Sequence, residues 1–236
     1  MRRPRNTLDR KFESCVFWFF EMTLAGLLLS ACVFAQAQAS QQDATISFTL
    51  NFPGSIPEHY QIMTHSDGRA SYDSSGKLTP DADADPFHLD FQLSPATRTK
   101  IFDLSARAKF FEGKVDSGKK NLASTGDKTL AYKDAQRSTE AHYNYSPIVP
   151  VQEITSLFQG MSTTLEFGRR LAYYRQYQKL ALDDELKRMD EMNRMGSLAE
   201  LQAIAPILKE IIADTAVINV SRSRAQRLLA QSAAGH

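Results

Sequence analysis

The sequence predicts an α+β fold: an antiparallel sheet built from four strands, a helix and two more strands, followed by a C-terminal αα-hairpin of long amphipathic helices. Three observations carry this. Short stretches alternate apolar and polar residues with period two. A Ser94-Pro95 helix start interrupts them. Beyond Pro147 and Pro150 only helical spacing remains.

The first strand is the clearest. Ile46, Phe48, Leu50 and Phe52 alternate with Ser47, Thr49 and Asn51, so one face is buried. Pro53-Gly54 stops it. Residues 60–65 read as the second strand. Asp67-Gly68 is a two-residue turn that tolerates positive φ, and residues 69–72 return as the third. Residues 73–86 read as a polar loop. Phe87, Leu89, Phe91 and Leu93 mark the fourth strand. The helix from Ser94-Pro95 carries Ile101, Leu104, Ala108 and Phe111 at helical spacing. A polar connection, 113–126, leads to a hairpin of strands at 128–133 and 137–145. Thr139, Ala141, Tyr143 and Tyr145 share one face of the second.

In the C-terminal part, Ile154, Leu157, Phe158, Met161 and Leu165 form a stripe that Leu171, Tyr174, Leu182, Leu186, Met189 and Met192 continue. Gly160 and Gly168 are expected to bend this run. Gly196 suits the residue just past a helix end. Ser197-Leu198-Ala199-Glu200 reads as a capping box opening a second helix, with a kink at Pro206. The hairpin is therefore expected to pivot at Gly196.

The N-terminus reads as an export segment. Arg2, Arg3, Arg5, Arg10 and Lys11 are basic, residues 22–35 are apolar, and Ala35-Gln36-Ala37 and Ala37-Gln38-Ala39 are small-x-small cleavage sites. Three outcomes compete: cleavage after Ala39, lipidation of Cys32 within the lipobox-like Leu29-Ser30-Ala31-Cys32, and retention of residues 15–35 as an anchor. Glu21 argues against the anchor. The domains are then 1–39 signal or anchor, 40–147 α+β, and 148–236 helical hairpin.

With 236 residues, 10% aromatics and a net charge of +1, the chain is no collagen, low-complexity polymer or disulfide-rich miniprotein. Near-neutrality gives no global field for nucleic acid. Both cysteines, Cys15 and Cys32, lie in the export segment, so the rest of the chain has no thiolate metal site or redox pair.

The strand at 46–50, the Asp67-Gly68 hairpin at 60–72, the Leu93-Ser94-Pro95 entry into a helix ending in Phe110-Phe111, and the hairpin at 128–145 together resemble an uncharacterised family of small exported bacterial α+β domains. The resemblance implies topology and export and brings no activity. Members often carry Cys-Pro before the second strand; here Ile56-Pro57 stands there.

Candidate chemistry is sparse. No H-E-x-x-H occurs among His59, His65, His88, His142 and His236. Asp81-x-Asp83-x-Asp85 opens like a calcium loop, but an EF-hand needs Gly at position six and Glu at twelve, where Pro86 and Gln92 stand. An irregular calcium or small-ligand site at Asp81, Asp83 and Asp85 competes with a solvated acidic loop. Gly113 to Lys120 misses a phosphate loop, since Lys120 replaces the magnesium-binding hydroxyl. Arg169, Arg170, Arg175 and Lys179, interleaved with Tyr173, Tyr174 and Tyr177 and followed by Asp183-Asp184-Glu185, read as a solvated helix face.

The functional expectation is an exported, periplasmic or secreted, non-enzymatic binding module without a cofactor. Its partner would be another envelope protein or a second copy, engaged through the sheet edge or the C-terminal helices. Nucleic acid is not expected, and membrane contact requires a retained N-terminus or lipidated Cys32. The alternatives are an envelope hydrolase that gathers Glu58, His65, His88 and Asp90, and a calcium-binding module.

Overall fold

The computed structural model describes residues 44–78 and 83–234. The export segment with Cys15 and Cys32, Asp81 of the acidic loop, and His236 lie outside them. The fold is α+β. Strands β1 (Thr45–Asn51), β2 (His59–His65), β3 (Arg69–Lys77), β4 (Ala84–Gln92), β5 (Asp127–Lys133) and β6 (Ser138–Tyr143) form one sheet of order β4-β3-β2-β1-β5-β6. Every neighbouring pair is antiparallel. Helix α1 (Pro95–Arg107) joins the β4 edge to β5. Four helices follow: α2 (Val149–Tyr177), α3 (Ala181–Arg194), α4 (Ala205–Ala213) and α5 (Asn219–Ala234).

The expected alternation determines the inner face. Ile46, Phe48 and Leu50 of β1, Tyr60 and Ile62 of β2, and Leu130 and Tyr132 of β5 are buried together. Helix α2 crosses this face from one side of the sheet to the other. Thr155 Oγ1 bonds Tyr143 Oη of β6 at 2.6 Å. Phe158 stacks on Phe48 of β1, with ring centroids 5.4 Å apart and planes within 1°. Glu166 meets Tyr72 and Ser74 of β3, and Arg169 reaches the Asp85 carbonyl of β4. Sheet and helices share one apolar core.

Residues 73–86 are mostly strand rather than loop. Asp73 pairs with His88, Ser75 with Pro86 and Lys77 with Ala84. The polar composition concealed this because Ser74 points inward onto a carboxylate. Gly76 is required by close approach: a Cβ there would lie 3.0 Å from Pro57 Cα. Pro86 is tolerated because β4 is an edge strand.

The first helix also stops earlier than its spacing suggests. Lys109, Phe110 and Phe111 have φ of 52°, 54° and 66°, a left-handed turn that buries Phe111 and lays Phe110 against Tyr132 at 4.7 Å.

The helical region has more pieces than a two-armed hairpin. Gly196 ends a helix as expected: at φ 70° it lets Ser197 N–H reach Met192 O at 3.0 Å and its own N–H reach Asn193 O at 3.0 Å. Further breaks fall at 178–180 and 214–218. The 214 break has a local cause, because Asp214 Oδ1 accepts from Ala216 N at 2.9 Å. The two breaks are tied by Lys179 Nζ and Asp214 Oδ2 at 2.8 Å.

Gly160 and Gly168 do not break α2, which runs through both as one helix. They let residues 197–204 cross it closely. A Cβ at Gly168 would meet Ile204 Cγ2 at 2.5 Å, and one at Gly160 would meet Ser197 O at 3.3 Å. The capping box does not form. Glu200 sits at φ 58°, a 3-10 turn covers Leu201–Ile204, and Pro206 opens α4 instead of kinking a longer helix. The Glu200 carboxylate serves a distant helix: it accepts from Ser94 N at 2.9 Å and Ser94 Oγ at 2.8 Å, while Ser94 Oγ accepts from Thr97 N at 3.2 Å. Among the described residues, no helix is long and apolar enough to cross a membrane.

Candidate functional site

The helical period of α2 places Ser162, Glu166, Arg169 and Arg170 on neighbouring positions of one face. That face looks toward β2 and β3. Tyr72 Oη donates to Glu166 Oε1 at 2.8 Å, and Ser74 Oγ donates to the same oxygen at 2.7 Å. Ser162 Oγ lies 3.1 Å from Tyr72 Oη. Glu166 is 4% exposed, so both hydroxyls replace water that the carboxylate has lost. Burial, then the neighbouring Glu166 charge, raises the Tyr72 phenol far above its ordinary value. Burial does the same for Tyr60. Both therefore remain neutral phenols. Arg169 is nearly as buried, and its Nη1 stands 3.8 Å from Glu166 Oε2 without a hydrogen-bond partner among the described residues.

One helical turn on, Arg170 Nε donates to Glu185 Oε1 of α3 at 2.6 Å. Its guanidinium carbon lies 4.7 Å from the centre of the Phe167 ring, and that of Arg188 lies 6.0 Å from the same ring. These groups line a cleft of about 510 Å³ between α2, α3 and the β1–β2 turn. Leu50, Ile56, Tyr174 and Met192 supply its apolar walls, and Lys77 joins the cations.

The outer face of the sheet carries a second cluster. His88 Nδ1 lies 2.6 Å from Asp73 Oδ1 and Nε2 lies 3.4 Å from Asp90 Oδ1. The Asp73 hydrogen bond raises the imidazole above its usual value, although the side chain is exposed. A shallow groove of about 260 Å³ runs beside it, lined by His59, Ser75 and Pro86. Of the four residues expected to gather, His88 and Asp90 meet. Glu58 instead accepts from Gly54 N at 3.2 Å in the β1–β2 turn, and His65 ends β2 opposite Thr45. No group of three or more metal-ligating side chains occurs among the described residues. Asp83 and Asp85 are exposed; Asp81 lies outside those residues.

Two features escaped the sequence. Arg169 and Arg170 are not a solvated face: their side chains are 8% and 16% exposed. Lys128, on the inward side of β5, is 5% exposed. Its Nζ donates to the carbonyls of Thr125, Gly126 and Asn144 and to Thr125 Oγ1, and burial lowers its pKa. The signal for Glu166 was present: it stands four residues after Ser162 and four before Arg170, between the buried Leu165 and Phe167. No protein-family model matches the chain, and no curated protein matches it either.

Proposed function

We propose that this is an exported cell-envelope protein that acts by binding, with the cleft between α2, α3 and the sheet as its binding site. The reading rests on the cleft itself. Its volume falls within the few-hundred to ~1,000 Å³ range of small-molecule sites, and apolar walls surround a few fixed polar groups. Those groups are held by one another: Glu166 by Tyr72 and Ser74, and Arg170 by Glu185. That arrangement suits recognition, since preorganised groups lose little freedom on binding. Export and kinship with the exported family are part of the same proposal.

The test has two arms. Fractionation with N-terminal sequencing of the full chain should place it outside the cytoplasm, starting near Ser40 or at Cys32. Native mass spectrometry after exposure to envelope extract should show an adduct on the wild type that Thr163→Trp, which fills the cleft, removes. A cytoplasmic chain, or retention unchanged in the filled variant, overturns the reading.

A hydrolase centred on His88 is the second reading, favoured by the imidazole held between Asp73 and Asp90. Ester and peptide hydrolysis that is lost in His88→Ala would establish it.

A further inference from the structure

The ligand class follows from how the cleft's charges are spent. Glu166 Oε1 already accepts two hydroxyls, and Glu185 Oε1 is taken by Arg170 Nε. The cations are less occupied. Arg170 uses only Nε, and its two terminal amino groups have no hydrogen-bond partner among the described residues. The guanidinium is held by the Phe167 ring and by the Glu185 carboxylate. Arg188 packs toward the same ring and forms no ion pair among the described residues. Lys77, which lines the same cleft, forms none either among the described residues.

A guanidinium fork with free terminal donors matches an oxyanion, which it can engage with two parallel hydrogen bonds. The surface beside it is apolar, with Leu50, Ile56 and Met192 lining the same cavity. Ile56 is 64% exposed, a cost that a hydrocarbon ligand would relieve.

We propose that the cleft binds an amphiphile with an oxyanion head, whose carboxylate or phosphate sits between Arg170 and Arg188 and whose hydrocarbon lies along Leu50, Ile56 and Met192. This deepens the binding-module reading and rests on it. A fatty carboxylate and an alkyl phosphate share the required chemistry.

Calorimetric titration of the full chain with octyl phosphate, octanoate, 1-octanol and inorganic phosphate tests the idea. Octyl phosphate, octanoate or both should bind at least tenfold more tightly than 1-octanol and than inorganic phosphate. The tighter of the two identifies the head group. Arg188→Ala, an exposed position without an ion pair, should weaken that binding about tenfold, which corresponds to ~1.4 kcal/mol. Arg188→Glu should weaken it further, with an unchanged circular dichroism spectrum in both variants. Octanol binding as tightly as octanoate would remove the anion from the proposal. Inorganic phosphate binding as tightly as octyl phosphate would remove the hydrocarbon. Binding indifferent to Arg188, or absent for all four probes, overturns the proposal; an extract-derived adduct lost in Thr163→Trp would still leave the broader binding role standing.

Discussion

The two faces of the sheet hold polar clusters of similar geometry and opposite consequence. Inside, Glu166 takes hydrogen bonds of 2.7 and 2.8 Å from Ser74 and Tyr72. Outside, His88 and Asp73 meet at 2.6 Å, which is shorter. Yet the inner cluster is buried at the floor of the cleft, with Glu166 only 4% exposed, whereas His88 and Asp73 are each more than half exposed. Hydrogen bonds contribute to stability when breaking them strands a group that water cannot reach. Exposed ion pairs exchange one hydrated state for another. Distance alone puts the outer cluster first; burial puts the inner one first.

Three substitutions can break or sharpen that contrast. The largest effect should come from the apolar floor shared with the inner cluster. Phe158→Ala removes the ring stacked on Phe48, and denaturant unfolding should show a loss of about 3–5 kcal/mol. Tyr72→Phe should cost about 1–3 kcal/mol in the same assay, because Glu166 keeps Ser74 and loses its phenol. A cost below a few tenths would mean that water reaches Glu166 and that the faces differ less than described. The smallest effect belongs to His88. Its folded-state pKa is raised, so whatever its pairing with Asp73 contributes is fully present below the ordinary histidine value near 6.5. That contribution is lost as pH rises through the raised value. NMR titration should find His88 above 6.5 and Asp73→Asn should lower it, while the melting temperature barely moves.

The sheet was legible where burial and hydrophobicity coincide. Ile46, Phe48 and Leu50 show alternation because each is itself apolar and buried. Leu93, Ser94 and Pro95 announce a helix start through local chemistry alone. Residues 73–77 resemble a loop because Ser74 is inward and polar, its partner lying 92 residues away. The same blindness applies to the candidate site. Arg169 and Arg170 look like surface charges unless Glu166, Glu185 and Phe167 are seen beside them. Glu200 looks like a local capping residue because the group that donates to it, Ser94, is 106 positions earlier. Local signals reveal elements; a polar residue's purpose depends on what the fold brings to it.

The bond from Glu200 to Ser94 also orders events in time. Helix α1 is encoded early, but the carboxylate that holds its capping residue, Ser94, lies 106 positions later in the chain. During synthesis, the start of α1 must rely on Ser94 alone until the chain past Gly196 has emerged and crossed α2 at Gly160 and Gly168. Such a distant contact carries a loop-closure cost that the local Ser94–Thr97 bond does not. The segment at 197–204 thus acts as a closing stitch, reporting to the early half of the protein that the late half is in place.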